Sequence, residues 1–166
     1  MKKNYLTAII SVSLLIWSGK LQAQTTLTKL DQVELMKQFA SNWKGEVGKD
    51  TTVFWDIKSN GTALECNYKY VTKDKMIFEG KQLWDYDKKV DKFILSSMTN
   101  GMDSGTSAFW FTSKYKSIII PLSDISNPEK AAFKLDTEFK SPDMFIQKTI
   151  VNNNIVKIVT YNRVKN

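Results

Sequence analysis

The chain has 166 residues, with 24 Lys and Arg against 17 Asp and Glu for a net charge of +7, one Cys and no His. The missing His excludes Ser-His-Asp and Cys-His catalysis, His-ligated zinc and His-ligated haem, and a single Cys excludes an intramolecular disulfide. Lys residues alternate with Asp and Glu and form no basic stripe with interleaved aromatics, so nucleic acid is not an expected partner.

Residues 1–23 read as a signal peptide. Lys2 and Lys3 precede an apolar run from Leu6 to Trp17, and Leu21-Gln22-Ala23 supplies a small residue for cleavage before Gln24. A retained anchor needs about 20 apolar residues, whereas this run is shorter and broken by Ser11, Ser13 and Ser18. No membrane span is expected in the mature chain, and an extracytoplasmic location, periplasmic or secreted, is. Removing residues 1–23 leaves 143 residues; Lys2, Lys3 and Lys20 go with them and no acid does, so the charge falls from +7 to +4. A chain of that size buries about two-thirds of its unfolded surface and folds as one domain without a metal or disulfide. Cys66 shares a strand face with Leu64 and Tyr68 and reads as a small core hydrophobe.

Thr25 to Ala40 carries the one helical pattern of the mature chain. Leu27, Leu30, Leu35 and Phe39 approximate three- and four-residue spacing, with Asp31 and Glu34 early and Lys37 late, where the helix dipole favours them. Thr26 or Thr28 is the expected cap. Residues 24–42 are thus a segment with one short helix, and 43–166 form the main domain.

From Trp43 the period becomes two. Turn residues recur at Lys49-Asp50, Ser59-Asn60-Gly61, Thr72-Lys73-Asp74, Asp85 to Lys88, Asn100-Gly101, Ser113-Lys114, Ser126-Asn127-Pro128, Ser141-Pro142-Asp143 and Asn152 to Asn154. No interval holds a crossover helix, so consecutive strands pair antiparallel. About ten strands follow, near 43–48, 51–58, 62–71, 75–85, 89–99, 105–112, 116–122, 131–139, 144–151 and 155–164. Leu64, Cys66, Tyr68 and Tyr70 share one face, as do Ala131, Phe133, Leu135, Thr137 and Phe139. Phe109-Trp110-Phe111 and Ile118-Ile119-Ile120 are apolar on both faces, so part of the outer surface needs cover, for which the helix is the candidate. A meander this long with one dry face leaves exposed edges unless it closes. The expected fold is all-β: an up-and-down antiparallel β-barrel of about ten strands with one short N-terminal helix, with a two-sheet sandwich as the alternative.

Three local features carry a resemblance. A helical lead-in runs into Ser41-Asn42-Trp43-Lys44-Gly45; Tyr86-Asp87 is followed by Lys92-Phe93 and then Met102-Asp103-Ser104-Gly105; and the chain closes on Thr160-Tyr161-Asn162-Arg163. In these the sequence resembles the lipocalin-like, or calycin, barrels, and more narrowly a bacterial group of exported domains of unknown function within that class. The resemblance implies that Trp43 of the first strand packs against Arg163 of the last to close one end of the barrel. The family's function is mostly uncharacterised; the expected function, non-covalent binding of a small hydrophobic or amphipathic molecule, rests on the hairpin periodicity joined to aromatic-rich inward faces.

Candidate chemistry is sparse. Tyr161 and Arg163 lie two apart on one strand and project to the same side; on an inner wall they resemble, in reversed order, the carboxylate-holding pair of intracellular fatty-acid carriers. The structural role implied for Arg163 competes with this one. Tyr68, Phe78, Trp84 and Trp110 are candidate cavity-lining aromatics, so the ligand-binding set is Tyr68, Phe78, Trp84, Trp110, Tyr161 and Arg163. Asp85, Asp87 and Asp91 lack calcium-loop spacing and read as a charged hairpin turn, and Asn60-Gly61-Thr62 reads as a hairpin before it reads as a glycosylation sequon. No metal, cofactor or catalytic set is expected. Asp103 and Ser104 beside Gly105 are the residues available to a His-independent hydrolase or isomerase, and the strands near 109–120 to a protein-interaction barrel with a packed interior.

Overall fold

A computed structural model describes residues 29–73 and 75–165. The expected signal peptide with its cut after Ala23, and the expected caps Thr26 and Thr28, lie outside the described residues. Helix α1, Gln32–Met36, runs on into a 3-10 turn at Lys37–Phe39. Its cap is Asp31, whose carboxylate accepts from the Glu34 N–H at 3.0 Å.

Ten strands follow: β1 Asn42–Gly48, β2 Thr51–Asn60, β3 Ala63–Thr72, β4 Lys75–Asp87, β5 Lys92–Thr99, β6 Met102–Ser113, β7 Lys116–Pro121, β8 Phe133–Ser141, β9 Met144–Val151 and β10 Asn154–Arg163. Each pairs antiparallel with its sequence neighbours, and β1 pairs with β10, so the sheet is a closed barrel. The turn chemistry explains the register. Asn100 and Gly101 both take positive φ, as do Asn152 and Asn153, the conformation two-residue hairpins need. The closing ladder is short: Trp43, Lys44 and Gly45 pair with Arg163, Asn162 and Tyr161. Beyond it, Glu46–Gly48 and Asn154–Thr160 have no strand partner across the seam among the described residues.

Three strand starts differ from the sequence expectation by two residues or more, each for a local reason. β5 begins at Lys92 because Asp91 turns the chain at φ 54°. There the Asp91 carboxylate accepts from the Tyr86 hydroxyl and pairs with Lys29 Nζ at 3.0 Å. The Tyr86 hydrogen bond, then Lys29, holds the Asp91 carboxyl below its ordinary value, and the same bond pushes Tyr86 up to about 12. A depressed carboxyl stabilises above its ordinary pKa and loses that contribution as the pH falls through the folded value. β6 begins at Met102, because Gly105, at φ 109°, sits at a bulge inside the strand, with its N–H donated to the Asp103 carboxylate at 2.9 Å. β8 begins at Phe133, because Ala131 belongs to the connection before it.

That connection corrects a second expectation. Residues 122–132, with 3-10 turns at Leu122–Asp124 and Pro128–Lys130, fold back over the outside of β6 and β7. Ala108, Ile120 and Ala131 are buried beneath it, with Trp110, Ile118, Leu122 and Ile125 around them. The cover over the doubly apolar strands is therefore this strap, while α1 closes an end of the barrel.

The main core sits at the closed pole, beside α1. Phe39 lies at its centre, within 4.8–6.1 Å, ring centre to ring centre, of Phe139, Trp84, Phe145, Phe109 and Phe111. The Trp43 indole donates to the Phe39 carbonyl at 2.8 Å. Arg163 lies over the outer face of this plug, its guanidinium carbon 4.7 Å from the Trp43 ring centre. α1 is fixed by one side chain. Gln32, buried, donates to the Phe111 carbonyl at 3.1 Å and accepts from the Phe111 N–H at 2.7 Å, standing in for a strand beyond the point where β5 ends its pairing with β6 at Phe109. Gln32→Leu keeps the volume and strands both backbone groups. Chemical denaturation is expected to show a loss of about 2–3 kcal/mol; a loss under half of one would mean that water replaces the amide at no cost.

Candidate functional site

Alternation turns one set of side chains inward, and at the closed pole these are large enough to fill the barrel completely. Towards the opposite pole they shrink or become polar, and a cavity of about 280 Å³ remains. Its mouth is formed by Val47, Phe78, Ser97, Phe133, Thr149 and Lys157, and its deeper wall by Trp55, Tyr68, Tyr70, Gln82, Leu95, Ser107, Ile119, Leu135, Gln147, Val159 and Tyr161.

Two glycines shape the wall. Gly80 sits between Tyr68 on β3 and Thr99 on β5 in one rung of the sheet. With no side chain at Gly80, the Tyr68 ring lies across it and its hydroxyl meets Thr99 Oγ1 at 2.7 Å. A Cβ at Gly80 would lie 2.3 Å from Tyr68 Cζ. Gly45, at the seam, does the same for Val159 and Tyr161, which stand 2.9 and 3.0 Å from where its Cβ would be.

The cavity exposes about as much polar as apolar surface. Gln82 accepts from the Trp84 indole at 3.0 Å, and the Gln147 amide donates to Thr137 Oγ1 at 3.4 Å. The Trp55 indole N–H is buried and has no acceptor among the described residues. Burial, with Tyr70 and Cys66 close by, drives the Tyr161 hydroxyl far above its ordinary range. Burial likewise raises the pKa of Tyr70. These hydroxyls are neutral donors and acceptors at any physiological pH. Cys66 is 1% exposed and burial pushes its thiol up, which makes it an inert core residue. Lys157 is the one residue of the lining that carries a charge, and it takes part in no ion pair among the described residues.

Of the residues singled out in sequence, Tyr68, Phe78 and Tyr161 come together on this wall. Phe78 stacks on Tyr70 at 4.3 Å. Trp84 lies below the floor, inside the aromatic plug, 1% exposed. Trp110 is on the outside: Phe109 and Phe111 take the two inward positions, and Trp110 packs by the strap with Lys92 Nζ 4.8 Å over its ring. Arg163 is away from the cavity. It donates from Nη2 to the Pro142 carbonyl at 2.8 Å, meets the Asp143 carboxylate at 3.2 Å and reaches the Gln38 carbonyl at 3.5 Å, so its donors are committed at the closed pole. Trp55, Tyr70, Gln82, Gln147 and Lys157 were not singled out, although strand parity with Val53, Tyr68, Trp84, Phe145 and Tyr161 marks each as inward.

Two larger depressions lie outside the barrel. One of about 810 Å³ crosses the outer faces of β1 to β5 past Phe54, Asp56, Asn67, Lys69 and Lys81, and one of about 680 Å³ runs beside α1 past Gln38, Lys140 and Arg163. The outer groove is mostly apolar, with Trp43, Trp55 and Tyr68 on its lining beside Phe54, whose ring has Lys69 Nζ 5.4 Å above it, and Asp56, Lys69, Glu79 and Lys81 border it. The lumen is smaller, and the closed sheet surrounds it. Among the described residues no cluster of three or more His, Cys, Asp or Glu is placed to hold a metal, and no helix is long and apolar enough to cross a membrane. The Asp85 to Asp91 turn uses two of its acids internally, Asp91 as above and Asp87 as acceptor for the Lys89 N–H at 2.8 Å. The sequence matches no protein-family model and no curated protein.

Proposed function

We propose that the protein is an exported, lipocalin-like (calycin) barrel that binds a small hydrophobic or amphipathic molecule non-covalently and does no chemistry on it. One observation carries this reading: the barrel is sealed by aromatic packing at one pole, while at the other its inward residues enclose about 280 Å³ lined by aromatic and aliphatic side chains together with polar ones in comparable share. A barrel that needed only stability would fill that space, since each unfilled methyl-sized void costs roughly 1 kcal/mol. The volume equals about nine waters in the liquid. The ligand is accordingly compact, short-chained or of one or two rings. Its export rests on the leader-like residues 1–23.

Mass spectrometry of the protein, isolated from its own compartment without detergent or organic solvent, tests this. A reproducible small-molecule mass is expected in the wild type and should be lost in Ser107→Trp, which fills the lumen from a half-buried wall position. The same mass retained by Ser107→Trp would place the ligand elsewhere. A second reading, a protein-interaction barrel, has one observation in its favour: Ile155, Val156 and Ile158 are more than half exposed on β10, beside the unpaired part of the seam. In that case a protein partner, and no small molecule, would accompany the purified chain.

A further inference from the structure

We infer that the lumen's ligand is a compact anion, held with its apolar body among the wall aromatics and its charged head at Lys157. The inference rests on the carrier reading above and adds the ligand's charge and orientation. Its starting point is a reversal on β10. Every other residue that lines the lumen is uncharged. On β10, Ile155, Val156 and Ile158 are 53%, 59% and 57% exposed, while Lys157 joins Val159 and Tyr161 on the lining.

Lys157 keeps the inward parity of Val159 and Tyr161. Ile155 pairs with Ile150 and Lys157 with Thr149, so Val156 is an extra residue, and this bulge turns Ile155 outward where unbroken alternation would turn it inward. A charge on an inward position breaks a local rule without a gain in stability, which marks a functional site. Lys157 is an exposed residue on the lining of the cavity. No carboxylate lines the lumen, and Lys157 forms no ion pair among the described residues. It is therefore available to a ligand, and its field favours an anion, leaves a neutral molecule unaffected and repels a cation. The hydroxyl of Thr149, which pairs with Lys157 across β9 and β10, supplies a neutral donor to the same head group. Deeper in, the buried Trp55 N–H still lacks an acceptor, so a ligand with a second polar atom on its body satisfies that donor too. The arrangement differs from a deep Arg-Tyr carboxylate clamp, since Arg163 is spent at the opposite pole.

The test holds shape constant and varies charge. Octanoate, octan-1-ol and octylammonium are titrated into the purified protein by calorimetry at neutral pH and low salt, in the wild type, Lys157→Met and Lys157→Arg. Octanoate is expected to bind about fivefold tighter than octan-1-ol, and octylammonium weakest. Lys157→Met should bring octanoate within about twofold of octan-1-ol, whose own affinity stays within about twofold of its wild-type value; Lys157→Arg should keep the preference. Lys157 is exposed, so the variants should melt with the wild type. Equal binding of octanoate and octan-1-ol, or a preference that survives Lys157→Met, overturns the anion assignment and leaves the carrier intact. Failure of all three probes to bind saturably overturns both.

Discussion

Phe39→Ala is expected to lower stability by about 3–5 kcal/mol, the largest single-residue effect in the barrel. Phe39 is 1% exposed and has five aromatic partners drawn from β4, β6, β8 and β9. The ring hangs from the 3-10 turn after α1, so it plugs the closed pole from outside the sheet. Removing it leaves a void ringed by rigid aromatics that cannot collapse into it, which places the cost at the upper end of the usual range. The Trp43 indole bond to the residue 39 carbonyl survives, being to backbone. For a domain of this size the melting temperature should fall by roughly 10–20 °C. A fall of only one or two degrees would show that the strands seal this pole without the plug.

Gly80→Ala is expected to cost about 2–4 kcal/mol, although Ala is ordinarily harmless in a strand. The new methyl would sit 2.3 Å from the Tyr68 hydroxyl oxygen and 2.6 Å from the Met98 carbonyl oxygen. Backbone cannot yield cheaply, so the Tyr68 ring must leave its place across the rung and give up its bond to Thr99 Oγ1. In a Tyr68→Ala background the same change should cost at least 1 kcal/mol less, because the ring is no longer there to displace. Equal costs in the two backgrounds would mean that the Met98 carbonyl alone sets the penalty. Tyr68 is also lumen wall, so Gly80→Ala should weaken binding of any lumen ligand as well.

The strand plan was legible because the hairpins announce themselves. Asn60-Gly61, Asn100-Gly101 and Asn152-Asn153 are residues that take positive φ cheaply, and the observed strands begin and end beside them. The pairing of Trp43 with Arg163 came from the resemblance and is present in register and in cation-π geometry. Other features were illegible for physical reasons. Phe109-Trp110-Phe111 has no polar member to say which parity faces in, and the balance is decided by the strap of residues 122–132, whose docking is a tertiary event. The cap at Asp31 won over the threonines upstream because the helix starts later than the apolar spacing suggests. Lys157 shares the parity of Tyr161 with no bulge between them, so its inward place was countable from the end of the strand; the bulge at Val156 hid only the outward turn of Ile155.

Methyl-resolved NMR during titration with octan-1-ol tests the central claim, that the interior of this barrel is a binding site, most directly. Saturable one-to-one shifts are predicted at the lumen methyls of Val47, Leu95, Ile119, Leu135 and Val159, with those of Ile155, Val156 and Ile158 on the outside of β10 unmoved. Shifts confined to the outer methyls, or none at all, would contradict it.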